Sequence, residues 1–197
     1  MLKVDEEGLI DMDEYAESLR DDTAIVSIMW ANNETGVILP VEEMAVMARE
    51  RGIPFHTDAV QAVGKIPFSL RDSEIDFLSL SGHKLHAPKG IGVLYVKRGT
   101  PFAPFLTGGH QEDGRRAGTE NVASIVGIGR ACQLAADKMD EENGRVKALR
   151  DKLENGLLSS IPRLPSQRQQ RAALPNNRQH QFRVRGRRVH SSSYGSL

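Results

Sequence analysis

Residues 75–99 read IDFLSLSGHKLHAPKGIGVLYVKRG. IDFLSLSG (75–82) is apolar at its start and polar at its end, and GIGVLYVKRG (90–99) is an apolar run closed by glycine at both ends, so both halves predict strands. Between them Lys84 stands among His83, His86 and Ser81, where the first strand runs out. Working outward, IPFHTDAV (53–60) predicts another short strand. TAIVSIMWAN (23–32), a continuous and partly β-branched apolar run, predicts a strand buried on both faces. PVEEMAVMARERG (40–52) opens on proline and closes on glycine, the punctuation of a helix. DMDEYAESLRDD (11–22) has helical spacing, with acids early and Arg20 late to suit the macrodipole. Residues 120–160 are helical in two stretches, NVASIVGIGRACQLAADKMDEEN and GRVKALRDKLENGLLSSI. Strands alternating with helices make this an α/β chain with an open, largely parallel sheet flanked by helices.

The bulk numbers fit that class. The chain has 197 residues, 39% hydrophobic and 26% charged, enough for one sizeable core. It holds no apolar run of membrane-spanning length, and the acidic start MLKVDEEGLIDMDEY lacks a signal-peptide core, so the expectation is a cytoplasmic protein without membrane contact. The single cysteine, Cys132, excludes an internal disulfide framework and any CxxC metal site, and its apolar helical context predicts a small buried helix residue. The net charge of zero averages two unlike parts. From Ile161 onward there are eight arginines and no lysine, aspartate or glutamate, leaving 18 bases against 26 acids in residues 1–160, a net of −8.

The predicted strands end in ANNETG (31–36), HTDAVQ (56–61) and SGHK (81–84). Open parallel sheets bind ligands beyond the carboxyl ends of their strands, so Asn33, Asp58, Gln61, Ser81, His83 and Lys84 are expected to face one crevice. Three uses are open to such a set. Asp58 could cap a helix after its strand and pair with Lys84. His83 and His86, with His56 and Asp58, could hold a metal, although Pro88 interrupts any shared helical face. Or Lys84 could form an imine with pyridoxal phosphate, Asp58 keeping the ring nitrogen protonated while the remaining residues donate to the ring hydroxyl and the phosphate. A carboxylate beside that nitrogen stabilises the pyridinium, the electron sink of such chemistry.

Four long segments then go beyond generic chemistry: WANNETGVILPVEEMA, FHTDAVQAVGKIP, LSLSGHKLHAPKGIGVLYV and GGHQEDGRRAGTENV. Together they resemble, in order, signature segments of the NifS/IscS-type cysteine desulfurases, pyridoxal-phosphate enzymes of fold type I in the class-V aminotransferase family. The likeness runs from about Gly8 to about Ile161. It implies that Lys84 binds the cofactor covalently, that Asp58 partners the ring nitrogen, that Gln61 and Asn33 lie around the ring hydroxyl, and that Ser81 and His83 contact the phosphate. Thr119 resembles a threonine reaching the phosphate of the neighbouring subunit, which implies a homodimer. L-Cysteine as substrate, alanine as product, an enzyme persulfide, and iron–sulfur scaffold or sulfur-acceptor proteins as partners follow from the same resemblance. Related chemistries, selenocysteine lyase or cysteine sulfinate desulfinase, stay open, as does a non-catalytic product with only dimerisation or scaffold contacts.

The resemblance also implies what is missing. Family members are longer at both ends, and a glycine-threonine phosphate loop, a ring-stacking histidine, a mobile cysteine loop and a substrate-binding arginine have no counterpart here. The expected organisation is a partial cofactor-binding large domain (1–141), a helix leading to a small domain (142–160) and an irregular tail (161–197). Such a chain should hold cofactor weakly and show negligible desulfurase activity alone. The tail, PNNRQHQFRVRGRRVHSSSYGSL (175–197), is rich in arginine, a composition that generally suggests nucleic acid. A different origin is expected. Codons can be chosen for residues 178–197 so that reading one base later gives VNISFEYVEGESILLLMD, which resembles the family after its LPN segment, and no nucleic-acid partner is anticipated.

Overall fold

The computed structural model describes residues 2–161, 174, 180–184 and 187–191. A four-stranded mixed sheet organises them, with strands in sequence order: β1 (Val26–Met29), β2 (Phe55–Asp58), β3 (Phe77–Ser81) and β4 (Gly92–Val96). β1, β2 and β3 run parallel, whereas β4 returns antiparallel to β3, pairing Phe77 with Val96 and Ser81 with Gly92. The sheet is therefore largely parallel, with one reversed edge. The ten residues between β3 and β4 are too few for a parallel crossover, which takes a dozen or more, so the chain turns back as a hairpin.

Two helices cover one face. α1 (Met12–Ser18) starts at Asp11, whose Oδ1 accepts the Asp13 and Glu14 amides at 2.8 and 3.2 Å. It ends earlier than its spacing predicts. Leu19 is extended, and Arg20, expected in the last turn, lies outside the helix with its guanidinium paired to Asp22 at 2.8 Å. α2 (Val41–Glu50) follows Pro40 and buries Val41, Met44, Ala45 and Ala48, an i, i+3, i+4, i+7 stripe, against the sheet. Gly52, at φ +70°, supplies the left-handed residue beyond its end. With Tyr15, Trp30, Phe55, Ile75 and Leu78 this stripe forms the main core.

β1 departs from expectation. Val26 is buried, but Ile25 is 51% and Met29 38% exposed, because β1 is an edge strand covered on one face only. Its apolar run reflects more burial than the described residues provide.

α3 (Val122–Ser160) is one uninterrupted helix of 39 residues, not two, and it passes the expected 141/142 division without a break. At 1.5 Å per residue it is about 58 Å long. Only Ser124 and Ile128 are buried on it, and it packs against the short turn that follows β3. Cys132 lies on this helix, partly rather than fully buried, its thiol pushed above the ordinary range by burial. Among the described residues no helix is long and apolar enough to cross a membrane.

Most of the expected irregular tail lies outside the described residues. Within it, β5 (His180–Val184) and β6 (Arg187–Ser191) pair as an antiparallel hairpin, so it is not irregular throughout. HQFRV places Phe182 and Val184 two apart, and this short alternation suffices for a strand. Leu174 is buried, and its backbone joins the Gly36 carbonyl at 2.8 Å and Arg150 of α3 at 3.2 Å.

Candidate functional site

The residues of interest collect at the carboxyl ends of β1, β2 and β3. Strand alternation sorts them by face: Phe55 and Thr57 are buried toward the core, while His56 and Asp58 lie on the opposite face. On that face Ser27 Oγ meets His56 Nδ1 at 2.7 Å and His56 Nε2 meets Ser79 Oγ at 3.2 Å, a polar row spanning three strands. Burial holds His56 below the usual histidine range, partly opposed by the Asp58 carboxylate. Asp58 ends β2, in register with Met29 and Ser79, and its Oδ1 accepts the Val60 amide at 2.9 Å. Asp58 thus caps a turn, not the expected helix, and this contact commits only one of its two oxygens.

Lys84 sits on a one-turn 3-10 helix, Gly82–Leu85, directly after β3. Ser81 Oγ, at the start of this turn, meets His83 Nδ1 at 2.7 Å. His86 ends the turn in a left-handed conformation, φ 61°. Gly82 makes the turn possible, since a Cβ there would stand 2.6 Å from Ile91 Cγ2 and 2.9 Å separates its amide from the Ile91 carbonyl. Lys84 is exposed, and it makes no hydrogen bond or ion pair among the described residues, so the expected pairing with Asp58 is not formed. Its charge is felt instead by Lys65, whose ammonium is held below the ordinary lysine range by burial first and by Lys84 second. Both lysines line a cleft of about 540 Å³ between residues 63–65, residues 84–88 and α3, to which Arg130 and Lys138 add positive charge.

Gln61 lies on the turn after β2, its Oε1 accepting from Lys65 Nζ at 3.1 Å. Asn33 is exposed in the turn after β1, a turn shaped by its neighbour: Asn32 Oδ1 accepts the Glu34 and Thr35 amides, each at 2.9 Å. Thr119 is exposed just before Asn121, the residue that caps α3, and is not part of the cluster at the strand ends. No group of three or more histidine, cysteine, aspartate or glutamate side chains among the described residues is arranged to hold a metal.

Sequence reasoning passed over Lys65, Ser27 and Ser79 and weighed His56 only as a metal neighbour. Their signals were present. The period-2 patterns of FHTD and FLSLS put His56, Asp58 and Ser79 on one face, and Gln61 and Lys65 are four apart. An amine without a counter-ion, a carboxylate and a hydroxyl–imidazole pair at neighbouring parallel strand ends form a donor set suited to a carbonyl compound that also carries an anionic group.

The sequence profile of the Aminotransferase class-V family matches residues 1–196. The chain belongs to that family. Among curated class-V relatives, the cysteine desulfurase NifS of Azotobacter vinelandii is 62% identical over 161 residues, 82% of this chain and 40% of the relative. A cysteine desulfurase of Gluconacetobacter diazotrophicus is 66% identical over 158 residues, 80% of this chain and 40% of the relative. Thus the chain spans about 40% of the length of these relatives. A solved NifS-like protein superposes with a TM-score of 0.86 at 40% identity, covering 92% of this chain and 50% of that one. The α/β architecture described above is the one that this class-V member shares with the NifS-like fold.

Proposed function

We propose that the protein carrying this sequence is a pyridoxal-phosphate-dependent cysteine desulfurase of the NifS type, and that these residues form the cofactor-binding part of its site. The observation that carries the reading is the placement of Asp58 and Lys84. A carboxylate ends β2, and an amine without a partner follows its parallel neighbour β3. The donor set fits the cofactor. Lys84 would hold it covalently, Asp58 would face the ring nitrogen with its uncommitted oxygen, and Gln61 with Asn33 would lie by the ring hydroxyl. Ser81 and His83, already joined at 2.7 Å, would take the phosphate. When bound, the cofactor supplies an electron sink for bond breaking at the substrate α-carbon.

The surrounding residues have defined tasks in this reading. The His56 imidazole, held between Ser27 and Ser79, is kept below the usual histidine range by burial, which disfavours an ion pair between it and Asp58. Gly82 fixes the turn that presents the amine. Cys132, partly buried on α3 with its thiol pushed up by burial, is poorly suited to accept sulfur. L-Cysteine is the proposed substrate, a second subunit contributing Thr119 the proposed partner, and iron–sulfur scaffold proteins the proposed recipients of sulfur.

The test is direct. The protein is incubated with pyridoxal phosphate, reduced with borohydride and mapped by peptide mass spectrometry, and alanine release from L-cysteine is followed with dithiothreitol as thiol acceptor. The expected result is a visible absorbance band lost on reduction and a pyridoxyl group on the peptide carrying Lys84, both absent in Lys84→Ala. Labelling spread over surface lysines, with Lys84→Ala equal to wild type, would reject the assignment.

A further inference from the structure

Lys65 occupies an unusual position. Its Nζ donates to Gln61 Oε1 at 3.1 Å, its backbone amide donates to the Ala62 carbonyl at 2.9 Å, and its carbonyl accepts from Asn143 Nδ2 of α3 at 2.8 Å. The preceding Gly64, at φ +77°, leaves no room to shift: a Cβ there would lie 2.7 Å from Leu85 Cδ2 and 3.1 Å from Ala135 Cβ. The lysine is thus held at both ends, on a turn clamped between α3 and the Lys84 turn. Among the described residues no carboxylate pairs with it. Glu142, which lines the same cleft, is bound to Arg145 at 2.6 Å.

The chemistry of this contact fixes the orientation of an amide. An ammonium carries three donors and no acceptor, so the Gln61 atom that it touches is the oxygen. With Oε1 turned toward Lys65 and one of its lone pairs engaged, the end of Gln61 that faces away is its NH₂, a donor only. A ligand oxygen beside that NH₂ is then stabilised when it is an unprotonated acceptor, and a hydroxyl that must donate is disfavoured at that end.

We propose that Lys65 is a positioning residue: by capturing the Gln61 carbonyl oxygen it presents the Gln61 NH₂ to the ring oxygen of the bound cofactor and favours the deprotonated form of that oxygen. This rests on the reading of Asp58, Gln61 and Lys84 as a pyridoxal-phosphate site. Without Lys65 the amide is free to rotate, and the preference for an acceptor is lost.

The experiment uses the whole chain and the variants Lys65→Met, Lys65→Gln and Lys65→Arg, with native Trp30 fluorescence as the check on folding; Lys65→Gln serves where Lys65→Met disturbs the turn. Without cofactor, the side-chain amide pair of Gln61 is followed by NMR and assigned by its loss in Gln61→Glu. With pyridoxal phosphate, the affinity and the pH midpoint of the visible band are measured. Loss of Lys65 is expected to shift the Gln61 amide pair, weaken cofactor binding roughly tenfold and raise the pH midpoint, while Lys65→Arg restores all three. If wild type shows the borohydride-sensitive band and the charge-removing variants leave amide pair, affinity and midpoint unchanged, the inference is overturned while the cofactor reading stands. A wild-type protein with no such band overturns both together.

Discussion

Replacing Tyr15 by phenylalanine removes one oxygen from the middle of the core, and the structure says what should follow. The hydroxyl donates to the Met44 carbonyl at 2.8 Å, and the side chain is only 1% exposed. A buried neutral hydrogen bond of this kind contributes about 1 kcal/mol, so Tyr15→Phe should lower stability by about that amount at pH 7. The sign reverses in alkali. Burial pushes the Tyr15 phenol from 10.0 to about 12. Between those values the unfolded chain loses the proton first, so wild-type stability present below pH 10 is lost as pH rises toward 12. At roughly 1.36 kcal/mol per pKa unit the whole loss is roughly 2.7 kcal/mol. Phenylalanine has nothing to ionise, so the two stability curves should cross at roughly pH 10.7, above which the variant is the more stable. Urea unfolding from pH 7 to 12, read by the single tryptophan, Trp30, provides the measurement: its ring is buried and lies 4.6 Å from that of Phe68. Parallel curves for the two proteins through pH 12 would refute the reasoning.

Thr57 is fully buried and its Oγ1 has no partner among the described residues, so Thr57→Val should raise stability by about 1 kcal/mol in the same urea assay; a loss of that size would reveal a partner for the hydroxyl. Gly82→Ala places a methyl 2.6 Å from Ile91 Cγ2 and 3.2 Å from Ala87 Cβ, and should cost about 1–3 kcal/mol while reducing borohydride-fixed cofactor on Lys84. Labelling equal to wild type would mean that the turn tolerates displacement. Since burial lowers the folded-state pKa of His56, the unfolded chain takes up the proton first on acidification, and stability falls as pH drops below about 6.5. His56→Gln should flatten that slope, and an NMR titration of the wild-type ring at or above 6.5 would contradict it.

The strand ends were legible because polar residues interrupt apolar runs at ANNETG, HTDAVQ and SGHK, and this placed Asp58 and Lys84 beyond adjacent strands before any coordinates. The direction of β4 was less visible, since an isolated strand carries no local mark of polarity; the ten-residue connection contains that information, and only when chain reach is counted. The continuity of α3 was obscured by Gly144 in a stretch of acids, where one unfavourable residue is outweighed by its helical neighbours. Burial of β1 was overestimated because hydrophobicity reports what a segment can bury against, not what the described residues provide. Ser79 and His56 lie two positions from an expected residue, whereas Ser27 is six from Asn33 and shows itself only through the strand register. Lys65 is four residues from Gln61, and its significance depends on the distance between the two side chains, which no sequence displays.

The uninterrupted α3 also has a mechanical meaning. It is held near its beginning, where Ser124 and Ile128 are buried, and again further along, where Asn143 Nδ2 donates to the Lys65 carbonyl at 2.8 Å and Arg150 to the Leu174 carbonyl at 3.2 Å. From Ile128 to Arg150 the axis runs for about 33 Å. A tilt of about 5° over that length would move the Arg150 end through about 3 Å, so the attachments at Ile128, Asn143 and Arg150 move as one stiff unit. Whatever is attached beyond Ser160 is therefore coupled, through one stiff rod, to the turn that carries Lys84.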